Sequence, residues 1–392
     1  MGKSKLKSNY IFISGFDINN NNRGTAALGY GSIGFLDENG ILDKKSTIVN
    51  IRKLKVKGII KRILKLKNPF QEKRTIIINE KEIKYKEFYI LNIEEWLQEK
   101  NRRIANLFRY WKIINKIKLV AAINGGDGFS DIYGVRIFRG RLNGIKIAMK
   151  YNIPLMMLPQ TIGPFKSEEI KEQAIEILKY AKWIFVRDEK FIDTLNMFQL
   201  KYEITKDLSY YMKPEPWKVD VPEGSVGINV SGLALSNNFP GLQGQFDSYP
   251  QLIKTIISFF QKKGKNIFLI PHSYNYWHPE KNNDDLEACK TIYDEIEDKT
   301  NIVLVSKDMI SPQIKYLISK MSFFIGTRMH ANFAAIYTNV PVFGLAYSYK
   351  FEAGFNANGL DGKRQTAKIN NISNLDVKKI VEKIEYIYDN TK

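Results

Sequence analysis

The 392 residues carry 60 Lys and Arg against 41 Asp and Glu, a net charge of +19, with 44% hydrophobic residues of which aromatics make up 12% of the chain. That length exceeds one ordinary core and suits two domains, and the apolar content excludes a disordered chain. A single cysteine, Cys289, excludes an internal disulfide framework and fits a reducing compartment. No apolar run approaches the ~18 residues of a membrane span. The opening MGKSKLKSNY leads into a short strand and not a signal-peptide core, so the expectation is a cytoplasmic protein, peripheral to the inner face of the cell membrane at most. The positive charge points to anionic partners, or to drift in a composition rich in Lys, Asn and Ile.

The first predicted strand is SNYIFISGF, followed by a helix opened by Asn21-Asn22-Arg23-Gly24-Thr25. Residues 44–91 read as an atypical insertion that ends in a hairpin, TIIINEKEIKYKEFYIL. Within it, IRKLKVKGIIKRILKLK (51–67) holds eight basic residues and no acid. A helix from Val56 to Lys67 would place Val56, Ile59, Ile60, Ile63 and Leu66 near one face, with Pro69 as its stop. Such a basic amphipathic helix suits an anionic membrane surface, or packs its stripe onto the domain with its lysines solvated.

From Leu119 the pattern is strand, turn, helix, repeated. The apolar runs are LVAAI, PLMMLP, WIFV, VGINV, NIFLI, NIVLV, FFIG and VPVFGLA. Continuous apolar strands alternating with helices imply parallel sheets covered on both faces. The proline-rich stretch 212–222 reads as a linker. It separates an N-terminal Rossmann-like domain (1–213) from a C-terminal one (222–375), with a closing helix in 376–392. Two doubly wound parallel-sheet domains of this kind face a cleft in an α/β, GT-B-like architecture. Ligands of such sheets bind at the carboxyl ends of the strands.

Those ends hold the candidates. The turn after LVAAI is Asn124-Gly125-Gly126-Asp127-Gly128, whose glycines permit close backbone approach. PLMMLP runs into Gln160-Thr161, WIFV into Arg187-Asp188, NIFLI into Pro271-His272, and FFIG into Thr327-Arg328-Met329-His330. Asp188 reads equally as a helix cap paired with Arg187. Arg328, between a strand and a helix N-terminus, can address an anion jointly with the helix amides, or pair with an acid at the core edge. His330 in the first helical turn suits proton transfer near neutrality as general acid or base, or acts as a phosphate ligand. His278 sits in a looser loop. No metal-ligand spacing, GxSxG or nucleic-acid-binding signature is legible, so neither a metal nor nucleic acid is expected.

In order, NNRGTAAL, NGGDGFSD, LPQTIGPF, VRDEKF, KDLSYYM, VGINVSG, LIPHSY and GTRMHANFAAIYTNVPVFGLAYSYKFEAGF resemble the polysaccharide pyruvyl transferase family across nearly the whole chain outside 44–91. The last block is the most specific. Where many members read Gly-Ile-Ser-Val-Arg, this chain has Gly227-Ile228-Asn229-Val230-Ser231. The resemblance implies transfer of pyruvate from phosphoenolpyruvate, as co-substrate without a further cofactor, onto a sugar diol as a cyclic ketal. It implies donor binding by Arg328, His330, His272, Thr327 and Lys350, with Arg328 and His330 catalytic. It places the acceptor, a lipid-linked oligosaccharide of capsule, exopolysaccharide or wall synthesis, with Asn21, Arg23, Asp127 and Gln160. The alternative on the same fold is a glycosyltransferase using a nucleotide-sugar donor.

Overall fold

The computed structural model describes residues 9–65, 67–91, 100, 109–189, 192–275, 282–348 and 350–391. His278 and Leu66 lie outside the described residues. The chain divides into two compact units: 1–16 with 32–208, and 17–31 with 209–392. Each is organised around its own sheet.

The first unit holds β1 (Tyr10–Ser14), β2 (Thr47–Leu54), β3 (Gln71–Ile78), β4 (Lys81–Leu91), β5 (Ile117–Ala122), β6 (Leu155–Gln160), β7 (Trp183–Val186) and β8 (Glu203–Ile204). Their order is β3-β4-β2-β1-β5-β6-β7-β8. All neighbours run parallel except the β3–β4 hairpin. The segment 44–91 therefore builds this sheet, because β2 pairs directly with β1. The core is apolar on the face carrying Phe12, Val120, Leu155, Met157 and Ile184, which packs against Phe138, Ile145 and Ile177 from the helices. The helical pattern of 131–151 resolves into two helices, Val135–Arg141 and Asn143–Tyr151.

The second unit is a six-stranded parallel sheet of β9 (Val226–Asn229), β10 (Ile267–Leu269), β11 (Ile302–Leu304), β12 (Phe323–Gly326), β13 (Val342–Ala346) and β14 (Thr366–Lys368), ordered β11-β10-β9-β12-β13-β14. Both faces are covered. Phe323 and Ile325 join one apolar cluster, and Phe324 between them joins the other, as the alternation of a strand demands. Trp217, Val219 and Val221 of the proline-rich stretch pack against that second cluster.

In each sheet the strand order reverses once. In the first unit the reversal falls between β1 and β5, in the second between β9 and β12. A crevice opens at such a switch point, where the two connections leave in opposite directions. Among the described residues no helix is long and apolar enough to cross a membrane, and no group of three His, Cys, Asp or Glu could hold a metal ion.

Candidate functional site

At the switch point of the second unit, Ser231 and Gly232 follow β9 while Thr327 and Arg328 follow β12. One buried carboxylate, Asp285, gathers these ends. It accepts from the Arg328 side chain (Nη2 at 2.6 Å, Nε at 3.1 Å), from the Gly232 amide at 2.9 Å and from the His272 amide at 3.1 Å. Arg328 Nη2 also donates to Asn283 Oδ1 at 2.7 Å, and the Arg328 amide donates to Asn229 Oδ1 at 2.9 Å. Burial opposes the charge on Arg328, but Asp285 outweighs it and holds the guanidinium above its ordinary pKa. The pairing of Arg328 with a core-edge acid is thus what the geometry shows. Thr327 shares a 2.8 Å hydrogen bond between its hydroxyl and that of Tyr249, and the Tyr249 oxygen accepts from the Ser231 amide at 3.0 Å. The Ser231 hydroxyl itself is buried and makes no hydrogen bond.

His272 and His330 complete this centre. Burial, then the neighbouring His330, Arg328 and Arg23, push the His272 imidazole well below the ordinary histidine range, so it is neutral at physiological pH. His330 opens the helix Met329–Ile336 and stands edge-on to Phe333, with ring centroids 5.8 Å apart. Gly24 lies beneath it. A Cβ on Gly24 would stand 2.7 Å from His330 Nδ1, so the absent side chain is what lets the ring occupy its place.

Asn21 and Arg23, read from the sequence with Asp127 and Gln160, belong instead to this second unit. The run of asparagines is a built turn: Asp17 and Asn20 accept from following amides, and Asn22 caps the helix Arg23–Glu38 through the Gly24 amide at 3.0 Å. Tyr274 N donates to the Asn21 carbonyl at 3.0 Å, and Arg23 N to the His272 carbonyl at 3.0 Å, which zips the turn onto the loop after β10. The Arg23 guanidinium lies 4.9 Å over the Tyr274 ring and is paired with Asp308. Four basic groups, Arg23, His272, His330 and Arg328, are thereby drawn into one neighbourhood. Lys350 is half-buried at the start of the helix Lys350–Asn356. Glu352 of that helix lines a cavity of about 620 Å³ beyond the end of β13, along with Gln245, Tyr347, Lys363 and Asn370.

The first unit places Asp127 and Gln160 at its own switch point. Gln160 is fully engaged as a strut, Nε2 donating to the Ala122 carbonyl at 3.0 Å and Oε1 accepting from the Asn124 amide at 3.1 Å. Asp127 accepts from the Tyr133 hydroxyl at 2.9 Å. Arg187 is ringed by carboxylates, with Asp207 at 2.7 Å and Asp188 at 3.7 Å. Burial works against its charge, and Asp207, Asp127 and Asp188 together raise its pKa regardless. Asn124, at the end of β5, is buried with neither atom of its amide hydrogen-bonded. Each switch point therefore carries a buried polar side chain without a protein partner, Asn124 in one and Ser231 in the other.

Residues 22–349 match the family described as polysaccharide pyruvyl transferase. The chain belongs to this family. None of the curated proteins matches the sequence significantly. Among solved structures, a putative UDP-N-acetylglucosamine 2-epimerase from Listeria monocytogenes is similar over 98% of this chain and 91% of its own, at 10% identity and a TM-score of 0.54. The UDP-GlcNAc 2-epimerase from Methanocaldococcus jannaschii is similar over 97% and 92%, at 11% identity and a TM-score of 0.51. At these identities the likeness is one of fold, and the fold is GT-B-like. Family membership makes the protein a transferase and implies a polysaccharide substrate.

Asp285 was not singled out in the sequence. It sits in Asn283-Asp284-Asp285, which reads as a helix cap, and Asp284 does cap, accepting from the Leu286 amide at 2.9 Å. The signal was its spacing: Asp285, Ala288, Cys289 and Ile292 share one stripe of the helix Asp285–Asp294, and all four are buried. A carboxylate in an apolar stripe needs a buried cation or several donors.

Proposed function

We propose that the protein transfers pyruvate from phosphoenolpyruvate onto a sugar diol as a cyclic ketal, and that the second unit binds the donor. The observation that carries this reading is the gathering of Arg23, His272, His330 and Arg328 at one switch point beside the unpartnered Ser231 hydroxyl, in a member of this family. Phosphoenolpyruvate brings a phosphate and a carboxylate on one small skeleton. Arg328, the Ser231 hydroxyl and the first amides of the helix Met329–Ile336 supply donors for them. Lys350 adds charge from the neighbouring helix. No cofactor is invoked.

His272 is neutral and buried, which leaves His330 to carry the proton. His330 gives it to the methylene carbon of the donor, forming the methyl group and an oxocarbenium-like C2. One sugar hydroxyl adds to C2 and loses its proton. The bond from C2 to the phosphate oxygen breaks, and the second hydroxyl closes the ring with loss of its own proton. One of the two protons released replaces that lost by His330 and the other leaves with the phosphate, so protons and charge balance. The acceptor is assigned to the switch point of the first unit. Asp127 orients or deprotonates a hydroxyl there, and the unpartnered Asn124 amide offers both a donor and an acceptor to the sugar. We take the acceptor to be a lipid-linked oligosaccharide presented at the inner face of the cell membrane.

The test is phosphate release from phosphoenolpyruvate against a panel of lipid-linked sugars, alongside thermal shifts with phosphoenolpyruvate and with UDP-GlcNAc. Acceptor-dependent phosphate release, abolished by His330→Asn, is expected. A thermal shift with UDP-GlcNAc and none with phosphoenolpyruvate would replace this reading by glycosyl transfer.

A further inference from the structure

We propose that the helix Val56–Leu64 and the lysines flanking it form a surface that docks on an anionic lipid bilayer. The inference rests on this surface alone and holds whichever donor the second unit binds.

The helix presents two sides. One side is anchored. Ile59 is buried, and the Arg62 guanidinium stacks 3.6 Å over the Tyr89 ring while donating to the Asn68 carbonyl at 2.9 Å. Arg62 also approaches Glu72 at 3.6 Å. The adjoining side is apolar and faces outward: Val56 is 62% exposed, Ile60 49%, Ile63 52% and Leu64 78%. At 100° per residue these four span one continuous arc, spaced i, i+4, i+7 and i+8. Because Ile59 and Arg62 already fix the other side to the sheet, the exposed arc cannot turn inward without tearing that anchor away. Among the described residues of the stripe, only Ile59 is packed onto the domain, as the alternative reading of the sequence requires.

Lys57 and Lys61 border the arc on the same helix, and Lys53, Lys55, Lys65 and Lys67 stand exposed at its two ends. No acid interrupts residues 51–67. An apolar arc rimmed by one sign of charge is the complement of a bilayer whose headgroups are anionic and whose interior is apolar. A protein partner matching both features would need an acidic rim around an apolar groove, and a second copy of this chain would bring like charges together. The bilayer is therefore the occupant the charge favours.

Cosedimentation with vesicles of phosphatidylcholine alone and of phosphatidylcholine with phosphatidylglycerol tests this, using the full chain at low and high salt. Binding to the anionic vesicles at least tenfold above the neutral ones is expected, weakening as salt rises. Two variants read the two components separately: Lys57→Gln with Lys61→Gln and Lys65→Gln removes charge, and Ile60→Ser with Leu64→Ser removes apolar contact. Each should lower the partition coefficient tenfold or more while circular dichroism and melting stay as in the wild type, since none of these side chains is buried. Wild-type binding by the Ile60→Ser, Leu64→Ser protein would overturn the proposal. So would equal recovery in the supernatant with and without anionic lipid, or a concentration-dependent dimer that the same variant dissolves while vesicle binding persists.

Discussion

Arg328 shows how a residue's type was legible in the sequence while its partner was not. The strand-turn-helix context put an arginine at the end of β12, and the structure turns most of its guanidinium onto Asp285. Removing it strands a buried carboxylate, which costs about 3–5 kcal/mol. Arg328→Ala is therefore expected to lower the denaturant midpoint strongly, whereas His330→Asn should melt like the wild type. His330→Asn should instead lose a hundredfold or more in turnover, or about 3 kcal/mol of transition-state stabilisation. Gly24→Ala makes a sharper probe, because it removes no polar group and its Cβ would press most closely on the His330 ring, at 2.7 Å from Nδ1 against 3.1 Å from Asn22 Oδ1. Activity falling with stability nearly unchanged is the expected result.

The pH dependence belongs to His272. Its folded pKa is depressed, so between that value and its unfolded value of about 6.5 the unfolded chain binds a proton that the folded chain does not. Stability consequently rises with pH up to about 6.5 and falls below it, by up to about 1.4 kcal/mol per pH unit for this group. Urea titrations of the wild type and His272→Asn from about pH 5 to about pH 7.5, a window that spans the unfolded value of about 6.5, should show the slope below pH 6.5 reduced in the variant.

Among the elements, the strands buried on both faces were readable because burial leaves them uniformly apolar. VGINV, FFIG and VPVFGLA coincide with β9, β12 and β13. β2 escaped because its outer half, Asn50-Ile51-Arg52-Lys53, alternates with charge as a strand with one wet face does. β8 and β14 span two and three residues, too short for any period to register. The turn after β5 was legible as glycine-rich, but not what its glycines avoid. A Cβ on Gly128 would overlap the Asn124 carbonyl and the Arg141 guanidinium, and the carbonyl belongs to backbone that cannot swing aside. Gly128→Ala should therefore cost ~2 kcal/mol or more, measured as a lower melting temperature, and should shift the orphaned Asn124 amide with it. The same substitution at Gly140, in the helix Val135–Arg141 and outside the left-handed region, where a Cβ would meet nothing within 4 Å, is the control.

Across the whole molecule, the two-sheet architecture followed from the alternation of apolar runs and helices. The membership of residues 17–31 did not, because nothing in a run of asparagines says which sheet its turn will be zipped to. Total composition did not reveal where the excess charge gathers, but the run 51–67 did, and the structure sets its lysines exposed around one short helix. The first sheet also has an end that bears on handling the protein. Among the described residues β3 is its outer strand, pairing only with β4. Glu72, Lys73 and Arg74 give half of it a charged margin, but Thr75-Ile76-Ile77-Ile78 continues with Ile77 65% exposed. An unpaired edge invites intermolecular strand addition, and charge placed on it is the usual deterrent. When concentrated samples are warmed, self-association should begin at this margin. Ile77→Lys should keep more protein in solution at a given temperature, measured by light scattering, without altering turnover.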